Sequence, residues 1–230
     1  MAEPPALVVC GHGTRDPGGR AVVAAAVEAV AERLPGVDVR EAYVDVHGPA
    51  VDDVVASLPA RPDGSRAGVV VPLLLAAGYH VRVDLAEAVA ERPDVLVTPA
   101  LGPDDRLVDL LVERVEQAGG AGPQDTVVLA PAGSSDGRAQ EASAETARRL
   151  GERLHRPVRL GYAAGPRPPA ACAVTAARVE GAHRVVLVSY LLAPGFFQRR
   201  LDECGADVVT APLLPDRRVV EVVLERYRTA

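Results

Sequence analysis

Lysine is absent from this 230-residue sequence, and all 25 basic residues are arginine. That excludes Schiff-base lysine chemistry and the phosphate-gripping lysine of a P-loop. An anionic ligand must then be held by guanidinium groups or backbone N–H groups, and the planar fork of Arg suits carboxylates. Tryptophan is absent too, and aromatic residues make up only 3%, too few for a platform that stacks nucleic-acid bases. Acidic residues outnumber basic ones, for a net charge of -6, which argues against a general affinity for nucleic acid or an anionic membrane. The cysteines Cys10, Cys172 and Cys204 are far apart and form no CxxC pair. They read as buried thiols in a reduced compartment rather than as disulfide partners or cluster ligands. Met1 to Pro5 carries no basic n-region, and no apolar run approaches membrane-spanning length, so the expected location is the cytoplasm.

What the sequence does have is a supply of Ala, Val and Leu, with apolar residues at 48%, enough for a packed core. Short β-branched runs alternate with amphipathic stretches. Strands are expected at 6–10, 37–44, 68–75 and 94–98, and helices at 20–34, 49–58, 81–91 and 104–117. Apolar runs without polar alternation suit strands buried on both faces, and strand–helix alternation implies parallel pairing through right-handed crossovers.

The pattern is then written a second time, with strands expected at 126–130, 157–162, 184–190 and 207–210. VVCGHGTRD faces VLAPAGSSD, VVVPLLLAAGYHVRVDL faces VLVSYLLAPGFFQRRL, and PDDRLVDLLVER faces PDRRVVEVVLER. Such ordered agreement marks an internal duplication. The expected fold is α/β: two similar doubly wound parallel four-stranded units, 1–120 and 121–230, joined by the Gly-rich stretch 117–125 and related by a pseudo-twofold axis. A chain that carries its own pair is expected to be a monomer.

Ligands of open parallel sheets bind beyond the carboxyl ends of the strands, where strand order reverses. With strand order 2-1-3-4, the loops after strands one and three face each other there. They carry His12, in Gly11-His12-Gly13-Thr14-Arg15-Asp16, and His80, in Gly78-Tyr79-His80. The glycines let the backbone turn tightly beside each imidazole. Gly18, Gly19 and the helix after them offer N–H groups and a positive dipole end as a seat for carboxylates. In the second copy Ala132 replaces His12 and Phe197 replaces His80. The paired loss says that the two histidines work as a unit. Asp45, at the end of strand two, reads either as a carboxylate that attracts a cation or as a helix cap. His47 beside it reads either as an accessory ligand or as an exposed loop residue. His155 and His183 precede second-copy strands, at the opposite edge, and read as structural or exposed.

These residues carry a family resemblance. His12-Gly13-Thr14-Arg15, together with Pro72, Leu74, Leu75, Gly78, His80 and Asp84, closely resembles the sirohydrochlorin chelatases, the class II cobalt- and iron-inserting enzymes. The family pattern reads HGSR and P-x-F-L-x-x-G-x-H-x-x-x-D. Thr14 stands where Ser is usual, and Asp45 where a Glu often follows strand two. The LAPGFF of the second half resembles the inactive copy of the long, fused members. The resemblance implies a chelatase-like fold and a lyase that puts Co2+ or Fe2+ into an acidic tetrapyrrole for sirohaem or cobalamin synthesis. It implies that His12 and His80 take the incoming metal and accept the two displaced pyrrole protons. Imidazole suits both tasks, and Fe2+, Co2+ and Ni2+ all suit two imidazoles and a carboxylate. The metal is then a substrate, with no permanent cofactor. Gly13, Thr14, Arg15, Gly78, Tyr79 and Arg82 are the expected contacts for the macrocycle and its carboxylates, with Gly133, Ser134 and Ser135 as a surviving clamp in the second copy. A tetrapyrrole or metal carrier would use the same residues without turnover. A histidine phosphatase would need Arg before His-Gly, and position 11 is Gly; a serine hydrolase would need a histidine to activate its serine, and Ser134-Ser135 lack a nearby His.

Overall fold

A computed structural model of the chain describes residues 3–61, 64–76 and 78–230, with the side chains of Tyr79 and His80 outside the description. The first four strand–helix pairs run β1 (Ala6–Gly11), α1 (Pro17–Glu32), β2 (Val39–Tyr43), α2 (Val51–Ala56), β3 (Gly68–Pro72), α3 (Tyr79–Ala88), β4 (Val95–Val97) and α4 (Asp105–Gln117). The next four run β5 (Thr126–Pro131), α5 (Gly137–Leu154), β6 (Val158–Leu160), α6 (Ala170–Val179), β7 (Val185–Tyr190), α7 (Phe196–Asp202), β8 (Val208–Val209) and α8 (Arg217–Arg228). Both sheets are parallel, in the orders β2-β1-β3-β4 and β6-β5-β7-β8. The predicted reversal between strands one and three is therefore present in each.

β1, β3 and β7 are buried along their whole length, and β5 from Val127 onward, because their valines face helices on both sides. On one face of the first sheet, Val8, Cys10 and Val70 pack with Val51, Val55 and Leu85 from α2 and α3. The corresponding cluster of the second sheet is Val128, Ala130 and Leu187 with Ala173, Val174 and Leu201. Burial pushes the Cys10 thiol up to about 12, so it is an inert core group. All three cysteines are free, but Cys204 is only partly buried and Cys172 is exposed on α6, against the expectation of a buried thiol there. Two or three residues of a helix turn separate core from solvent, which the apolar run alone does not specify.

The packing divides the chain differently from the repeat. One compact unit holds residues 1–101 and 215–230; the other holds 102–214. In the first, α8 packs on α1 and β3; in the second, α4 packs on α5 and β7. The sequence halves place α4 in the first unit and α8 in the second. Their sequences are near-copies with the same buried face, Leu107, Val108, Leu110 and Leu111 in one and Val219, Val220, Val222 and Val223 in the other. Either helix thus satisfies either sheet, and periodicity cannot tell which. Each is started by an aspartate, Asp104 or Asp216, that accepts from the N–H two residues on and pairs with that residue's guanidinium, Arg106 or Arg218. Within the first unit Arg226 of α8 donates to the carbonyls of Ala100 and Leu101, 3.3 and 3.2 Å away. Within the second, Arg114 of α4 donates to those of Pro212 and Leu213, at 3.0 and 3.2 Å. Among the described residues no helix is long and apolar enough to cross a membrane.

Candidate active site

The carboxyl end of the first sheet is built by continuing its hydrogen-bond ladder into the loops. Beyond the last paired residues, the Val44 N–H donates to the Gly11 carbonyl and the Asp45 N–H to the His12 carbonyl, both at 3.0 Å. On the other flank the Leu73 N–H donates to the Cys10 carbonyl at 2.8 Å. His12 and Asp45 are therefore neighbours by backbone pairing, and both are exposed. His80 is the second residue of α3, whose N-cap is Gly78. The fold thus brings the His12 loop, the Asp45 loop and the first turn of α3 to the same sheet end. The side chain of His80, and that of Tyr79, lie outside the described residues. Among the described residues no group of three or more His, Cys, Asp or Glu is placed to hold a metal ion.

Gly13 has φ +100°, and a Cβ there would stand 2.0 Å from the Asp45 carbonyl oxygen. Only glycine permits the two loops to lie this close. Tyr43, whose ring would be 3.1 Å from a Cβ on Gly11, donates its hydroxyl to the Glu41 carboxylate at 2.6 Å. Burial and that carboxylate both raise its pKa, so it stays protonated. Thr14 turns the chain into α1: its hydroxyl accepts from the Asp16 N–H at 3.1 Å, and its carbonyl accepts from Arg20 at 2.8 Å. Asp16, not Asp45, is the local cap, and its carboxylate takes the Gly19 N–H at 2.9 Å. One of the N–H groups expected to seat a ligand carboxylate is thus already used, because a short acidic side chain at the N-cap reaches it first.

Asp45 caps no helix. Its carboxylate accepts the Val46 N–H at 2.6 Å, and α2 starts from Ala50 with no side-chain cap. His47 turns back instead of reaching outward: Nδ1 lies 3.0 Å from the Gly48 carbonyl, and the ring packs on Tyr43 at 4.0 Å between centroids. Arg15 is exposed and makes no ion pair among the described residues. Arg82, half-buried, lines an apolar groove of about 480 Å³ with Leu85, Val89 and Leu96, between α3 and β4. His155 is the exposed left-handed C-cap of α5, and His183 is exposed ahead of β7.

The second sheet repeats this construction with different side chains. Gly133 has φ +104°, and its Cβ would stand 1.9 Å from the Ala164 carbonyl oxygen. The Ala164 N–H donates to the Ala132 carbonyl at 2.9 Å. Ser134 accepts the Asp136 N–H at 3.1 Å and Gln140 replaces Arg20 on its carbonyl, at 3.0 Å; Ser135 is exposed. Phe197 is the second residue of α7, as His80 is of α3. The ladder therefore matches Ala132 with His12, Phe197 with His80, and Ala164 with Asp45. The last match is invisible in the sequence, where VDVHGPA and AAGPRPP share too little to align; the backbone pairing finds it. Ala132 and Phe197 pack against the second core, so the copy has turned these positions to packing.

Comparison with known proteins agrees with this construction. Over 206 residues the chain is 27% identical to a sirohydrochlorin ferrochelatase of Priestia megaterium, covering 86% of this chain and 76% of the relative. It is 29% identical over 115 residues to a sirohydrochlorin cobaltochelatase of Sulfolobus acidocaldarius, which covers 49% of this chain and 90% of the relative. The solved structure of SirB from Bacillus subtilis with Fe3+ has the same fold, with a TM-score of 0.76 at 20% identity over 98% of this chain and 94% of that one. The CbiX family model matches residues 6–118 and again 126–230, and the chain belongs to the CbiX family.

Proposed function

We propose that the chain is a sirohydrochlorin chelatase that inserts a divalent metal ion, Co2+ or Fe2+, into the tetrapyrrole. Ni2+ suits the same donors. The observation that carries this reading is the joint replacement of His12, His80 and Asp45 by Ala132, Phe197 and Ala164 in a copy that otherwise keeps the ladder, the glycine and the helix start. A structural role would not require three polar groups to vanish together. The names of the relatives, cobaltochelatase and ferrochelatase, supply the reaction class.

In this reading His12 and His80 bind the metal ion, which is a substrate, and Asp45 adds charge that favours its arrival. Insertion forms metal–nitrogen bonds and releases two pyrrole N–H protons, which the imidazoles accept and pass to water. Neutral imidazole is both a ligand and a base near neutral pH. Few protein ligands leave coordination positions open, as a transfer site requires. Arg15 and Arg82 meet carboxylates of the macrocycle, and Gly13, Thr14, Gly78 and Tyr79 form the surface beside the metal. Gly133, Ser134 and Ser135 serve as a carboxylate-binding loop of the second copy. The protein acts in the cytoplasm as a monomer, in sirohaem or cobalamin synthesis.

The test is anaerobic absorbance of sirohydrochlorin with excess Co2+ or Fe2+ and protein at one-twentieth of the macrocycle concentration. Complete spectral conversion, faster than the protein-free reaction, supports an enzyme. Conversion that stops at one macrocycle per chain would make the protein a carrier and overturn the reading.

A further inference from the structure

Pro72 ends β3, and the matching position of the second sheet is Ser189 of β7, since Cys10 pairs with Pro72 as Ala130 pairs with Ser189. Thr98 and Thr210 match in the same way: their N–H groups donate to the carbonyls of Val70 and Leu187, both at 2.9 Å. In the second unit these residues pin the helix that follows β7. The Ser189 N–H donates to the Thr210 hydroxyl at 3.0 Å, and the Ser189 hydroxyl to the Gln198 amide oxygen at 2.7 Å. Gln198 in turn donates to the Thr210 carbonyl at 3.4 Å and to the Asp202 carboxylate at 2.9 Å. Ser189 and Thr210 are buried, so water competes little for the bonds that tie α7 to the sheet.

In the first unit Pro72 has neither an N–H nor a hydroxyl to give. The Thr98 hydroxyl turns instead to the Pro99 carbonyl at 3.2 Å. Here lies the apolar groove of about 480 Å³ between α3 and β4, with Pro72, Arg82 and Thr98 in its lining. Among the described side chains of α3 only Leu85 is buried, at 2% exposed, while Val81, Ala88 and Val89 lean on the core. The helix lies chiefly against α2, whereas α7 lies against β7, and Leu96 of β4 is left 38% exposed. An element with few buried apolar contacts shifts at low cost. His12 is supported differently: backbone bonds hold its loop on both flanks, from Val44 and Asp45 on one side and from Leu73 to Cys10 on the other. His80 rides on α3 as its second residue.

We infer that Pro72 is a positioning residue: by withholding the bonds that pin α7, it leaves α3 free to close into the groove and so lets His80 move against a fixed His12. This rests on the chelatase reading above. An ion held between a fixed and a movable ligand is gripped in one position of the helix and handed to the macrocycle in the other. Small sliding of a packed helix is a common form of such motion.

The test is hydrogen exchange of the full chain, with Co2+ binding by calorimetry and insertion rates measured beside it. The proteins are wild type, Pro72→Ser, Arg82→Gln and the double variant, which recreates a serine–glutamine pair beside Thr98. In wild type the α3 amides should exchange about tenfold faster than those of α7, and Co2+ should slow α3 several-fold while leaving α7 unchanged. The double variant should slow α3 about tenfold without metal, the size of one or two net hydrogen bonds, and lower kcat several-fold below Arg82→Gln alone. Neither single variant should slow α3, because each supplies half of the pin. A wild-type α3 as well protected as α7 would overturn this inference. A double variant with slowed α3 and the kcat of Arg82→Gln would overturn it and leave the chelatase reading standing, as would Co2+ that binds without altering α3 exchange. A wild type that binds no Co2+ would overturn both.

Discussion

Gly13→Ala and Gly133→Ala form a matched pair, because the two glycines have the same conformation and the same clash but different neighbours. Each has φ near +100°, and each would drive a Cβ to about 2 Å from a carbonyl oxygen of the facing loop, Asp45 in one case and Ala164 in the other. Real carbon–oxygen contacts are more than an ångström longer, so the loops must part. The left-handed conformation costs an L residue about 1–2 kcal/mol. Parting the loops stretches the Asp45-to-His12 or Ala164-to-Ala132 hydrogen bond, worth about 1 kcal/mol more. Each variant should therefore lose about 2–3 kcal/mol, roughly 5–10 °C in Tm for a chain of this size. Their catalytic consequences should differ. Gly13→Ala displaces His12 from Asp45 and should lower kcat at least tenfold; Gly133→Ala disturbs only the loop proposed to bind carboxylates and should act chiefly on KM. Thermal melts and steady-state insertion assays on both variants check this. Equal losses of kcat, or a Gly13→Ala enzyme with wild-type kcat, would refute the reasoning.

Two further predictions concern stability. Val46 holds a left-handed φ of 71°, and its counterpart in the second copy is Gly165 at φ 75°; for a β-branched residue that is strain. Val46→Gly removes about 1–2 kcal/mol of it against about 0.5–1 kcal/mol of added chain entropy, so the urea midpoint should rise slightly with unchanged slope, and a lower midpoint would contradict the assignment. The Asp125 side chain is only 7% exposed. Burial disfavours its charge, but the Gly122 N–H at 2.7 Å and Arg184 outweigh that and lower its pKa. A depressed folded pKa means stability that is present above the unfolded value, near 4, and lost as pH falls below it. Asp125→Asn should lose about 1–3 kcal/mol at pH 7 and lose less than wild type between pH 5 and pH 3. Equal acid losses would show that Asp125 is not a source of acid sensitivity.

Much of the fold was legible in the sequence because its signals are local and repeated. Valine-rich runs specify strands buried on both faces, and the ordered second copy specifies two sheets of the same order. His12 and His80 stood out because the copy replaces both. Three features were not legible, each for a physical reason. The exchange of α4 and α8 between packing units leaves no trace, since the helices are near-copies. Asp45 and Ala164 correspond through backbone hydrogen bonds in loops whose sequences have diverged. The Gly19 N–H was expected to be open to a ligand, but the Asp16 carboxylate takes it, and a capping aspartate and a ligand-binding turn look alike as letters.

The central claim is that metal handling belongs to three side chains of the first copy. It is tested most directly by insertion rates, at saturating sirohydrochlorin and fixed Co2+, of His12→Ala, His80→Ala and Asp45→Ala. The account predicts a sharp loss of kcat for each histidine variant, a smaller loss for Asp45→Ala that higher Co2+ partly restores, and retained macrocycle binding in all three. Near-wild-type rates in both histidine variants would contradict it.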